Sequence, residues 1–452
     1  NATLDMDVSS LEEVVVVGYG TQRKEDLTGA VSLVKAEEMQ KQAATDLTQS
    51  FQGRVAGVSV TSDGQPGAAP SVRIRGISTF GVGGASAEPL YVVDGVPLTG
   101  GIRDFNPNNI ESIQVLKDAT AGAIYGNRAA NGVVIITTKK GSKSNRLSVE
   151  LNAYTGVQTI PNRIPVLDRA DFQMMQNEVM DNAGIPRIAG NDPNSADYIS
   201  NIDTDWQDEG YKDGKITNYN VNLSGGSDKT TYYVSMDYID NEGTLVGSGP
   251  DYRRYSFRVN TQSEFGRFKF GENLLKMHSD ENPLFFTTSI NLPGGRPTLV
   301  NDLLQAAPTI PVYDENREGG FGGADALIHN SITLNVPGLN TLINNSTTVD
   351  RTLANLWGQI EIVEGLTYKL NMSYDQTAIT DDLFVPEYDL GYFFPNATAF
   401  YQVATRNSSS ALIENTLNYE KRFGKHDLKL LAGQSFQQDK FTSITTRGSG
   451  LE

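Results

Sequence analysis

The sequence predicts a small mixed α/β domain followed by an antiparallel β-sheet of the up-and-down transmembrane barrel type. Two patterns and one exclusion predict it. From Ser142 onward, apolar and polar residues alternate with period 2. Leu147, Val149, Leu151 and Ala153 alternate with Ser148, Glu150 and Asn152, and Leu366, Tyr368, Leu370, Met372 and Tyr374 with Thr367, Lys369, Asn371 and Ser373. Successive strand side chains point to opposite faces, so this is a sheet with one greasy and one wet side. The connections then alternate in length. Short turns are expected at Gly225–Lys229, Glu264–Arg267, Glu364–Gly365 and Phe423–Lys425, and long excursions near 158–216, 241–251, 279–351 and 378–409. One clipped rim and one elaborated rim suit a membrane barrel, whereas a propeller would repeat at a fixed spacing. On pattern alone a soluble sandwich is the alternative. Lastly, no apolar run approaches the ~18 residues of a membrane helix; the longest are Val14–Val17 and Val133–Ile136. If the chain crosses a membrane, strands must do it.

The elements follow in order. Asn1–Arg23 is an acidic start that runs into EEVVVVGYGTQ, whose four valines favour an extended strand. Ala36–Gln52 reads as a helix, with Met39, Ala43, Leu47 and Phe51 on one face. Asn109–Ala123 reads as a short helical start and turn, apolar at Ile110, Ile113 and Val115 and polar at Lys117 and Asp118. Val133–Thr138 is a β-branched strand. Further alternating strands centre on Tyr219–Leu223, Tyr232–Tyr238 and Tyr255–Val259. Tyr219, Tyr232, Tyr238, Tyr255, Tyr374 and Tyr419 would sit at strand ends as interfacial girdles, or simply reflect the strand preference of tyrosine.

Composition removes several function classes. The chain has 452 residues, 54 acidic and 37 basic, for a net charge of −17. That disfavours a nucleic-acid partner, which needs basic surface. There is no cysteine, so disulfides, thiolate metal sites and thiol nucleophiles are excluded. His278, His329 and His426 lie far apart and lack metal-ligand spacing. The acidic run Asp203–Asp208 lacks the glycine and terminal glutamate of a calcium loop. Ser78–Glu88 is glycine-rich, but no GK[ST] follows it, which argues against a nucleotide cradle. No acid–base pair or nucleophile triad emerges. Neither an enzyme nor a cofactor is expected. The chain opens on polar NATLDMDVSS without a signal peptide, so an exported protein would be a mature or trimmed form.

Several segments carry a family resemblance. They are LTQSFQGRVAGVSV (Leu47–Val60), VRIRG (Val72–Gly76), PLYVVDGVPL (Pro89–Leu98) and NIESIQVLKDATAGAIYGNRAANGVVIITTKKG (Asn109–Gly141). With NIDTDWQDE (Asn201–Glu209) and the strands after it, they resemble the plug and early barrel of SusC-like (SusC/RagA) TonB-dependent outer-membrane transporters, most densely before residue 280. The resemblance implies a mixed α/β plug domain inside a transmembrane antiparallel β-barrel of about 22 strands when complete, with about ten present. An open half-barrel would expose unpaired edges to lipid, so the chain is expected to be part of a longer protein, the alternative being one of two chains that close a barrel together. The implied domains are 1–23 (end of an N-terminal extension and TonB box), 24–141 (plug) and 142–452 (first part of the barrel).

Residue roles follow from the same resemblance. Glu13, Val14, Val15, Val16, Val17, Gly18 and Tyr19 would form the TonB box, gripped by strand addition. Arg73, Arg75 and Asp94 would contact the barrel wall, or else serve structure within the plug. Phe80, Arg103, Asp104, Phe105 and Asn106, in plug loops, would face substrate, or else only shape the loops. The implied partners are a SusD-like surface lipoprotein, TonB with ExbB and ExbD, an oligosaccharide or peptide substrate and outer-membrane lipid. Pairing of two transporter–lipoprotein units is also implied. The implied activity is TonB-dependent import across the bacterial outer membrane. The alternatives are a siderophore or vitamin receptor without a lid, and a secreted β-rich carbohydrate-binding protein or enzyme.

Overall fold

The computed structural model describes residues 14–17, 20–23, 31–39, 47–50, 52–62, 64–68, 70–76, 87–117, 123–284, 299–424 and 426–450. The chain begins with a two-stranded hairpin, β1 (Val14–Val17) against β2 (Gly20–Arg23). The strands that follow are β3 (Val31–Lys35), β4 (Val58–Thr61), β5 (Ser71–Ile74), β6 (Leu90–Val93), β7 (Val96–Pro97), β8 (Ile110–Leu116) and β9 (Val133–Thr138). A five-stranded sheet has the order β3-β8-β9-β6-β7, and β4 pairs with β5. β6 and β9 are parallel; the other pairs are antiparallel. Val34, Val93, Ile110, Ile113, Val115, Val134 and Ile136 are buried in one cluster on this sheet, and Val92, Leu116, Val133 and Ile135 in a second. Central strands apolar on both faces are what a sheet covered on both sides requires.

Two expectations are revised here. Asn109–Ala123 is not a helical start: Ile110–Leu116 is strand β8, laddered to β3 on one side and β9 on the other. Its apolar residues are consecutive at the end (Val115, Leu116) because both faces are covered, and that spacing mimics a helix in a short window. The Ala36–Gln52 helix is seen at Ala36–Met39 and Leu47–Ser50; residues 40–46 and Phe51 lie outside the described set.

The second body is a curved wall. β10 (Ser148–Gln158), β11 (Gly214–Gly226), β12 (Thr230–Glu242), β13 (Asp251–Phe265), β14 (Phe268–Asn282), β15 (Asn344–Val363) and β16 (Leu366–Val385) come first. The small hairpin β17 (Tyr388–Asp389) and β18 (Pro395–Asn396) lies in the next loop, before β19 (Phe400–Phe423) and β20 (His426–Ser449). Nine of these strands form one sheet, β10-β11-β12-β13-β14-β15-β16-β19-β20, antiparallel throughout. The alternation runs the opposite way to a soluble sheet. Leu147, Val149, Leu151, Tyr219, Met236 and Tyr255 are exposed, while Asn218, Asn220, Asn222, Asp237, Arg254 and Arg258 are buried on the face toward the plug. Apolar side chains pointing outward with polar ones inward are the lipid-facing arrangement of a membrane barrel.

Aromatic rows mark the lipid face. Across β11, β12 and β13, Tyr219 stacks on Tyr238 with centroids 6.2 Å apart and Tyr255 lies tilted against Tyr238 at 5.1 Å, while Phe265 stacks on Phe270 at 6.0 Å near the short turns. Tyr255 and Phe265 lie on one strand, which puts the rows about 33 Å apart along the chain and ~25 Å apart along the normal of a tilted barrel, the height of an apolar band. Glu272 and Lys276 interrupt this band; Lys276 Nζ lies 3.7 Å from Asp350.

The short turns fall where expected, but two long excursions shrink. β14 runs on to Asn282 and β15 starts at Asn344; β16 reaches Val385 and β19 starts at Phe400. Thr, Asn, Ser and Asp dominate these extensions, so they show no apolar alternation, yet the ladder continues through them. The long loops hold helices the alternation did not signal, at Arg169–Ala183, Trp206–Gly210, Leu299–Gln305 and Val336–Leu342. Asp168 caps the first by accepting from Asp171 N, and Gly184 ends it in left-handed backbone.

These loops share one apolar core. Trp206, Leu245, Leu303, Ile310, Val312, Leu339 and Leu390 come from four different connections and pack together with Val385 at the end of β16. Backbone and side-chain bonds stitch them: Trp206 Nε1 donates to Ala307 O at 2.9 Å, Ser248 N to Asn340 O at 2.8 Å, and Tyr392 N to Ala324 O at 2.9 Å.

Candidate functional site: the plug–wall interface

Besides hydrogen bonds from Arg128 Nη1 to Gln437 Oε1 at 2.9 Å and from Leu284 N to Gln65 Oε1 at 3.3 Å, the plug reaches the wall chiefly through two structures. The first is the turn between β6 and β7. Asp94 and Gly95 both have positive φ, 48° and 86°, as a tight two-residue hairpin requires. Asp-Gly is a favoured sequence for such a turn. The turn carries the Asp94 carboxylate off the end of the plug sheet. Inside the plug it accepts from Thr138 N at 3.0 Å and Thr138 Oγ1 at 2.5 Å. Across the interface Arg258 Nη2 of β13 donates to it at 2.8 Å, and Asn273 Nδ2 of β14 also donates to it. Arg258 also donates to Thr138 Oγ1 and, at 2.9 Å, to Asn273 Oδ1.

The second structure is the loop 98–109. Ile102 and Phe105 turn inward to the plug core. Their polar neighbours therefore face the wall. Arg103 Nη2 donates to Glu281 Oε1 at 2.6 Å, and its Nε lies 3.4 Å from Asp104 Oδ1. Burial works to lower the Arg103 pKa, but the carboxylates of Asp104 and Glu281 outweigh it and raise the pKa above the ordinary arginine value. Arg351 of β15 donates from Nη1 to Gly101 O at 2.7 Å and to Asp104 Oδ2 at 3.3 Å, while its Nε and Nη2 form a fork on Asp375 at 3.2 and 3.1 Å. Thr99 donates to the same Asp375 from its backbone N at 3.3 Å and from Oγ1 at 3.2 Å. Asp237 of β12 accepts from Asn106 and, at 2.8 Å, from Asn109 Nδ2, together with Asn220 and Ser256 of the wall. Asn106 is also the cap of the short turn Pro107–Asn109, accepting from Asn108 N at 2.8 Å.

The interface is thus chiefly polar. Among the described residues only Leu275 and Leu353 of the wall join the plug's apolar cluster. Charged and amide contacts of this kind have geometry to satisfy but little area to strip from water, so they hold position without fusing the two bodies.

The expected site residues fall into distinct settings. Asp94 lies at the wall. Arg73 is half-buried in β5 and Arg75 exposed at its end in left-handed backbone, φ 57°; the wall contacts above involve neither. Arg103, Asp104, Phe105 and Asn106, expected to face substrate, sit in plug–wall and core contacts, with Asp104, Phe105 and Asn106 buried. Phe80 lies outside the described residues, as do Glu13, Gly18 and Tyr19; Val14–Val17 forms β1. The wall residues Asp237, Arg258, Asn273, Glu281, Arg351 and Asp375 were not singled out from sequence. Their one signal was placement of charge on the polar face at mid-strand, which a water-filled lumen would equally accept.

Comparison with known proteins fits this geometry. Residues 23–133 match the TonB-dependent Receptor Plug Domain family. The chain is 33% identical to TonB-dependent receptor P3 of Formosa agariphila across 97% of its own length and 41% of that protein. It is 34% identical to TonB-dependent receptor SusC of Bacteroides thetaiotaomicron over 72% of its length and 31% of SusC. The solved RagAB peptide importer in its open-open state superposes with a TM-score of 0.76 at 27% identity, covering 97% of this chain and 50% of that one. The chain therefore spans about half or less of the length of these relatives. A plug seated by polar contacts against an apolar-out, polar-in wall, together with these matches, makes the chain a SusC/RagA-like member of the TonB-dependent receptors, a family of the bacterial outer membrane that does no enzymatic chemistry, here comprising a plug and part of the barrel wall.

Proposed function

We propose that the protein carrying this chain imports oligosaccharides or peptides across the outer membrane, driven by TonB and lidded by a SusD-like lipoprotein. The observation that carries this reading is the plug: a domain with its own apolar core, seated in the wall by contacts that can break and re-form. On this reading residues 1–23 hold the end of an extension and the TonB box, 24–141 the plug, and 142–452 the first part of the barrel. TonB, energised through ExbB and ExbD, takes hold of Glu13–Tyr19. Among the described residues Val14–Val17 pairs only with Gly20–Arg23, which leaves its other edge for an added strand. Pulling there shifts the plug, and cargo passes without covalent change.

The stitched loops support a separate lid. Loops that share one core and cross-loop bonds do not fold over a cargo singly. Closure then falls to another subunit, and two transporter–lipoprotein pairs would associate. RagAB is a solved peptide importer of this shape, which favours a peptide or an oligosaccharide over a chelated metal.

The test is Val15→Pro combined with Val17→Pro in the full-length protein. Proline removes the backbone donors that strand addition needs. Uptake should fall to background while surface binding of cargo persists. Loss of both, or of neither, contradicts the TonB-box assignment. Purification from outer membranes in mild detergent tests the lid: a lipoprotein should accompany the transporter, and a lone receptor would instead favour the siderophore or vitamin class.

A further inference from the structure

The plug–wall contacts differ in what each side keeps when they part. Around the loop 98–109 the wall charges already have wall partners; Arg254, which donates to Arg103 O at 3.1 Å, keeps Tyr252 and Asp237 beside it. Arg351 is forked on Asp375, Asp237 holds Asn220 and Ser256, and Glu281 accepts from Ser279 Oγ at 3.0 Å. On the plug side, Arg103 keeps Asp104. Separation leaves these groups compensated. The Asp94–Arg258 contact is unlike this. Arg258 is fully buried, its Nε makes no hydrogen bond, and among the described residues Asp94 is its one carboxylate. Without the plug it would keep only the Asn273 amide. Drawing Asp94 away strips a still-buried charge of its single counter-ion until water enters the gap, a cost that groups retaining partners do not meet.

Position reinforces the difference. Arg258 lies opposite Leu275, whereas Glu281 lies opposite Tyr252 and Arg351 opposite Met277, closer to the long-loop rim. Asp94 is also fixed within the plug sheet through Thr138 and through its own N–H to Ile136 O at 3.0 Å. We infer that the plug is held at two grades: the loop 98–109 is a latch that disengages first, on the side of the long loops, and Asp94–Arg258 is the pivot that lets go last. This rests on the importer reading, and it adds an order of events and a named pivot.

The test uses the full-length protein in planar lipid bilayers, scoring channel opening as urea is raised. Asp104→Asn weakens the latch alone and should raise opening only about two- to threefold at a fixed subthreshold urea concentration. Asp94→Asn leaves Arg258 without its counter-ion and should raise opening at least tenfold at a fixed subthreshold urea concentration. Asp94→Asn with Arg258→Gln should recover part of the closure, because no orphan charge remains. Equal sensitivity of Asp104→Asn and Asp94→Asn, or a double variant no better than Asp94→Asn, overturns the two-grade attachment while leaving the importer intact. Wild-type protein that forms no channel at any urea concentration sinks the importer reading and the inference with it. A second measurement leaves both charges in place. Ser256→Cys lies buried under the latch, and Asn260→Cys, opposite Asn273, lies buried on the wall beside the pivot. Maleimide should label Ser256→Cys at lower urea than Asn260→Cys; simultaneous labelling, or the reverse order, contradicts the proposal.

Discussion

Asp94 joins three elements through one carboxylate: its own turn, strand β9 through Thr138, and the wall through Arg258 and Asn273. Its reach depends on Gly95. A Cβ there would meet no atom within 4 Å, so the constraint is the backbone, φ 86°, and not space. Gly95→Ala should therefore fold with the same contacts but lose about 1–2 kcal/mol, the cost of an L-residue in the left-handed region. Thermal unfolding of the plug checks this, and an unchanged midpoint would mean the turn relaxes freely. Asp94 was singled out in the sequence as a residue that would contact the wall. Its partner was not, because ion pairing across 164 positions is set by how two bodies dock. Arg103, Asp104 and Asn106 show the reverse. A polar loop with one aromatic suggests a cargo surface, but Phe105 enters the core and turns its neighbours to the wall.

At the scale of elements, the wall strands were the most legible part. Alternation is a property of each strand alone, and the exposed face proved to be the apolar one. Strand β8 was missed because burial on both faces erases alternation. Ile113, like Ile110, Val115 and Leu116, is fully buried. Ile113→Ala should cost the plug about 2–5 kcal/mol. The wall should keep its resistance to heat in detergent gels, since its ladder does not pass through β8; loss of both together would mean plug and wall fold as one unit.

The loop 283–343 carries a pH dependence of its own. His329 Nδ1 accepts from Asp325 N at 3.0 Å, and Asp325 Oδ1 accepts from Leu327 N and Ile328 N at 2.8 and 3.0 Å. Burial pushes the His329 pKa below its ordinary 6.5. Between the folded and unfolded values the unfolded loop binds the extra proton, so stability is full above about pH 6.5 and falls as pH drops below it. Backbone hydrogen-bonding in Asp325 holds that carboxylate below its usual range, so it stays ionised across this window. Protection of the Leu327 and Ile328 amides should decline between pH 7 and 5, and the decline should flatten in His329→Gln. Protection independent of pH in the native protein would contradict the assignment.

At the scale of the whole molecule, a plug with a closed apolar core meets a wall whose inner face is amide and charge. That division allows movement without unfolding. It also separates what sequence could and could not reveal. Strand number, rim asymmetry and lipid-facing side follow from local patterns. The seating of the plug depends on pairs such as Arg103–Glu281 and Arg351–Asp104, whose members lie on different bodies. The central claim is that cargo passes only when the plug leaves these contacts. Asn109 and Asp237 face each other across the interface at 2.8 Å, and these 452 residues contain no cysteine. Asn109→Cys with Asp237→Cys in the full-length protein, bridged by a short reducible bis-methanethiosulfonate cross-linker, is the most direct test. Cargo uptake by whole cells should stop when the cross-link forms and return on reduction. Undiminished uptake with the cross-link complete would show that the plug need not part from the wall there, and the account would fail.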